Sequence, residues 1–181
     1  GPPGSDTVTQ ASLLVVAAPP GEPQDAVSSP IADGQVRDTS PTQNWATFPT
    51  MRVRTSTEVY RSYVKFDVTG VSGQVTGAVL RLYATDGGPD VGSVWRVTDD
   101  WTETGLTWNT APALSGSPLD GGGAVLANAW RDFDVTSAVT GTGIVSFGMA
   151  TNDSNSVYWS TREGVQPPQL IVTVNGSVEP P

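Results

Sequence analysis

The chain contains no cysteine and no histidine. That removes the thiolate nucleophile, the imidazole base and the Cys/His zinc site. A serine nucleophile would lack its usual base. Lysine occurs once, at Lys65, and 9 basic residues face 18 acidic ones, giving a net charge of -9. This balance argues against bulk attraction to nucleic acid or to an anionic membrane. Long apolar runs are missing too. Leu13 to Ala18 is only six residues, too short to span a bilayer. It follows no basic stretch, so it does not read as a signal peptide. No window carries a convincing helical period.

What is present favours strands. Glycine (20) and proline (15) are frequent, and Val, Thr and Ser recur, so short extended runs should alternate with turns. An apolar share of 37% with six tryptophans is enough for one buried core in 181 residues. Strand-like runs fall at 31–37, 50–54, 59–68, 75–85, 91–98, 124–127, 130–135, 144–150, 156–161 and 168–174. The predicted class is all-β, with two packed antiparallel sheets, a sandwich or a jelly roll. Alternation in 59–68 turns Val64, Phe66 and Val68 inward and Arg61, Tyr63 and Lys65 outward. Leu80 and Leu82 face in, as do Leu170, Val172 and Val174. The phrase Phe-Asp-Val-Thr occurs at 66–69 and 133–136, where its Asp or Thr can cap a strand exit.

Residues 1–5, Gly-Pro-Pro-Gly-Ser, read as a protease-cleavage and cloning scar. Residues 6–30 read as a leader or linker with room for one extra strand, the apolar run 13–18. Residues 31–175 read as the β-sandwich domain, and 176–181 as a linker to a neighbouring domain of the same chain. A monomer is expected.

Four ordered segments resemble the DNRLRE-type domain, grouped with carbohydrate-binding module family 96. They are Ala32-Asp33-Gly34-Gln35-Val36-Arg37-Asp38, with Pro41 and Asn44; Arg61 to Val68, leading to Ala78 to Tyr83; Trp101 to Asn109, with Pro112; and Phe133 to Thr136, followed by Ser160 to Glu163 and Pro168 to Val172. The resemblance runs from about residue 31 to 174. It implies a two-sheet antiparallel β-sandwich of jelly-roll type, and a non-catalytic, extracellular module that binds polysaccharide, some relatives binding acidic chains through basic residues. It also implies that Arg37, Arg52, Arg54 and Arg61 occupy the ligand-carrying positions. The alternative reading is a structural or adhesion spacer in a surface protein.

The charge pattern supports an acidic ligand independently. Five of the nine basic residues (Arg52, Arg54, Arg61, Lys65 and Arg81) lie between 50 and 82, opposed there only by Glu58 and Asp67. Arg52 and Arg54 are two apart, as are Arg61 and Lys65, so each pair shares a strand face. A basic strip with Tyr63 and Tyr83 is expected, since Arg grips a carboxylate with two parallel hydrogen bonds. Trp45 and Trp159, in polar surroundings, are expected as exposed sugar platforms. Trp101 and Trp108 read instead as packing aromatics. Asp33, Asp38 and Glu163 could hold a structural calcium ion, alongside Asn44. A hydrogen-bonded role, including an Arg162–Asp33 pair, is the open alternative. The acidic knot Asp99, Asp100 and Glu103 does not read as a glycosidase pair, because adjacent residues face opposite ways on a strand.

Overall fold

The computed structural model describes Gly1 and residues 22–180. The expected apolar strand within 13–18 lies outside the described residues. Among the described residues eleven strands form a single curled antiparallel sheet. In chain order they are β1 (Pro23–Ser28), β2 (Pro30–Arg37), β3 (Thr50–Thr55), β4 (Val59–Val68), β5 (Val71–Asp86), β6 (Ser93–Val97), β7 (Asp120–Gly121), β8 (Ala129–Asp134), β9 (Gly143–Ala150), β10 (Val157–Ser160) and β11 (Gln169–Val178). The one helical turn described, Thr136–Ala138, follows the second Phe-Asp-Val-Thr phrase. There Asp134 Oδ1 accepts the Thr136 N–H at 3.0 Å. Among the described residues no helix is long and apolar enough to cross a membrane.

The strand order is β1-β11-β5-β10-β3-β4-β9-β6-β7, with β2 also on β4 and β8 on β5. β3 joins the two halves. On one edge Arg52 stands opposite Tyr158 of β10. On the other, Arg54 stands opposite Tyr60 of β4. β1 falls within the residues expected as leader and pairs with β11 from Pro23↔Asn175 to Ser28↔Leu170. β11 runs on to Val178, past the expected boundary at 175, and pairs with β5 to its end. The expected strand at 124–127 is absent. Only Val125 bridges, to Gly88, while Leu126 is 80% exposed. Gly122 and Gly123 at φ 82° and 86° turn the chain there instead.

Alternation puts Leu80, Leu82, Leu170, Val172 and Val174 inward as expected, with Val64, Phe66 and Val68 of the other half. Phe133 meets Trp159 edge-on at 6.1 Å, and Phe66 meets Phe147 at 6.4 Å. Each such fully buried side chain contributes about 1.5–3 kcal/mol of transfer energy.

A second, smaller cluster covers the other face of β4. Tyr63 packs there with Ala32, Val36, Val97, Trp101 and Leu106, flanked by Trp95, Trp108 and Leu114. The segment 98–119, between β6 and β7, supplies Trp101, Leu106, Trp108 and Leu114. It approaches so closely that a Cβ on Gly148 would lie 2.4 Å from Leu114 Cδ2. This cover decides which of the sequence-predicted site residues reach solvent.

Candidate functional site

β3 alternates inward Met51 and Val53, both wholly buried, with outward Arg52 and Arg54. The outward pair therefore sits on the strand where the sheet curls over. Arg52 donates to Tyr158 Oη at 2.5 Å. Its guanidinium carbon lies 3.6 Å from the Tyr60 ring centroid and 5.1 Å from that of Tyr158. Each cation–π contact contributes about 0.5–2 kcal/mol and fixes the plane of the guanidinium. Arg54 Nε donates to the Ser154 carbonyl at 3.0 Å and is half-buried. Arg37, at the end of β2, lies 5.7 Å from the Tyr60 ring. It also pairs with Glu58, whose other oxygen accepts the Tyr60 hydroxyl at 3.2 Å. The result is three arginines, two tyrosines and one carboxylate around the β3 junction. Burial raises the Tyr60 hydroxyl above the usual tyrosine range, so it is a neutral donor at physiological pH.

The other half of the expected strip is covered. Tyr63 and Lys65 share a face with Arg61, as the spacing requires, but the 98–119 segment lies over that face. Tyr63 is 1% exposed and its hydroxyl donates to the Pro112 carbonyl at 2.9 Å. Lys65 is also buried. Its ammonium donates to the carbonyls of Asp99 and Trp101 and sits 4.6 Å from the Trp101 ring centroid. Burial holds the Lys65 ammonium below the usual lysine range, partly offset by Asp99 and Asp100. Arg61 is half-buried and stacks 4.9 Å from the Trp108 ring, its Nε without a partner. Trp101 and Trp108 are packing aromatics, as expected.

The two expected platforms are interior. Trp45 is 6% exposed, packed edge-on to Phe48, and Trp159 is wholly buried in the main core. Among the described residues two aromatics reach solvent: Phe48, 45% exposed, and Trp130, 37% exposed and edge-on to Tyr83 at 5.2 Å. Beside it Arg81 forms a two-pronged pair with Asp132, at 2.8 and 3.0 Å.

Ion pairing separates the arginines further. Arg37, Arg81, Arg96 and Arg162 each pair with a carboxylate. Among the described residues Arg52, Arg54, Arg61 and Arg131 do not; Arg131 donates instead to the Gly122 carbonyl at 2.8 Å. Of the expected metal ligands, Asp33 and Glu163 come together, joined by Glu103. Asp38 does not join them, because its Oδ1 accepts the Val59 N–H at 2.8 Å and so caps the start of β4. Asn44 is also occupied, donating to the Glu103 and Leu106 carbonyls at 2.7 and 2.8 Å. The Arg162–Asp33 pair exists, but through the Arg162 backbone N–H, at 2.7 Å.

No curated protein matches the chain. A family model does, over residues 24–174, from within β1 to within β11 and across both clusters described above. The chain belongs to carbohydrate-binding module family 96.

Proposed function

We propose that this chain is a non-catalytic, extracellular module that holds an acidic polysaccharide against the β3 junction, as part of a longer multidomain protein. The observation that carries this reading is Arg52. It has no carboxylate partner among the described residues, yet it is immobilised against two tyrosine rings. An ordered arginine with unspent donors is suited to a uronate carboxylate, since less side-chain entropy is lost on binding. Arg54 extends the same face one residue pair along, and Tyr158 offers a ring edge to a sugar. Arg37 is half-neutralised by Glu58 and belongs at the margin. Arg61, set against Trp108 on the other face of β4, is a separate contact at most. We also read the curled sheet as a jelly-roll sandwich, because its two halves share one core.

The test is isothermal titration with alginate, polygalacturonate and a neutral β-glucan at low and high salt. Binding to an acidic chain that weakens with salt is expected, because half-exposed charge contacts are screened. Binding confined to the neutral glucan would overturn the acidic-chain reading and transfer attention to Trp130 and Tyr83. Binding to none of them would favour the spacer reading, for which the Arg37–Glu58 and Arg81–Asp132 pairs are the supporting observation.

A further inference from the structure

The middle of β2 carries a buried carboxyl group that the carbohydrate reading does not use. Asp33 is 1% exposed. Its Oδ2 accepts the Arg162 N–H, but its Oδ1 is buried without a hydrogen-bond partner. An orphaned carboxylate oxygen in a protein interior is costly and calls for a cation or a proton. Two further carboxylates converge on it from separate loops. One oxygen each of Asp33, Glu103 and Glu163 lie within 4.8 Å of one another. Glu103 is half-buried and its Oε1 accepts the Asp33 N–H at 3.1 Å, which fixes its approach. Glu163 is exposed, leaving a route in from solvent.

The neighbouring cation does not complete the cluster. Arg162 spends its guanidinium on the Ile31 carbonyl at 2.6 Å and reaches Glu103 only at 3.5 Å. Three carboxylates against one guanidinium leave two negative charges, the complement of a divalent ion. The ligands are all oxygens, so the hard cations are selected over zinc or copper. Ligands drawn from one strand and two loops, with water filling the remaining positions, suit the loose geometry of calcium better than the strict octahedron of magnesium.

We propose that Asp33, Glu103 and Glu163 bind one calcium ion that ties β2 to the loops carrying residues 103 and 163. The ion would meet the orphaned Asp33 oxygen and hold the 98–119 segment over β4. This site is independent of the β3 junction, so it stands or falls apart from the sugar reading.

The experiment uses the whole chain, stripped with EDTA and dialysed against calcium chloride or magnesium chloride. Elemental analysis should find about one equivalent of calcium, and the melting temperature should rise with free calcium, because the ion binds only the folded state. Magnesium at equal concentration should give a smaller shift. E163Q changes an exposed group, so its metal-free melting temperature should match wild type while calcium affinity falls at least about tenfold. D33N should fold without metal and lose the calcium shift. A melting temperature identical in EDTA and in millimolar calcium, with no bound metal, would overturn the proposal. So would E163Q binding calcium as well as wild type, or a magnesium shift equal to that of calcium.

Discussion

Two regions of this molecule carry charge in opposite ways. At the β3 junction Arg52 and Arg54 are half-buried, Arg52 oriented by the Tyr60 and Tyr158 rings and Arg54 by the Ser154 carbonyl. Under the 98–119 segment Lys65 is buried, as is Asp33 on the adjoining β2, and each depends on a few fixed partners. The residue types and strand spacing look alike in the sequence. The difference is what folds over them. A charge at the surface is free to meet a ligand and adds little to stability. A charge under cover is structural, and removing its partners is expensive.

If that division is right, mutations should separate sharply. Lys65→Met should cost most, roughly 2–4 kcal/mol, because two carbonyls lose their donor beneath the covering segment. Urea midpoints measure it, and a cost no larger than that of Arg54→Met would erase the distinction. Next comes pH. Burial, opposed by the Arg162 N–H, pushes the Asp33 carboxyl from 3.8 up to about 7 in the metal-free protein. The folded state then holds a proton that the unfolded chain has released. Stability from this group is complete below about pH 4 and is lost as pH rises through about 7, by at most a few kcal/mol. Melting curves in EDTA should therefore fall between these limits, and Asp33→Asn should flatten the fall. A smaller effect, about 1 kcal/mol, is expected for Tyr63→Phe, which leaves the Pro112 carbonyl unmet.

Much of this was readable in advance because it is local. Period-two alternation assigned the inward sets of β4, β5 and β11 correctly, and put Arg52 and Arg54 on one face. Applied to β10, the same rule would have paired a buried Trp159 with an outward Tyr158. The polar neighbours Ser160 and Thr161 hid that, since both are themselves buried and hydrogen-bonded. Glu103 is placed by a contact that crosses a long stretch of chain. Glu103 reaches Asp33 seventy positions away, so no spacing rule could find the pair. The fate of Tyr63 and Lys65 was hidden for the same reason. Strand alternation states which residues share a face, but only the path of the 98–119 segment determines whether that face is wet.

A modest stability effect is expected where the functional effect is largest. The double change Arg52→Ala with Arg54→Ala should lower the unfolding free energy by only about 1–2 kcal/mol, the two half-exposed cation–π contacts of Arg52, because neither arginine pairs with a carboxylate. Isothermal titration of this variant against alginate or polygalacturonate, beside wild type at low salt, tests the account most directly. It should show binding lost or weakened at least about tenfold, with the fold intact. Unchanged affinity in the double variant would contradict the account and remove the β3 junction as the ligand-holding face.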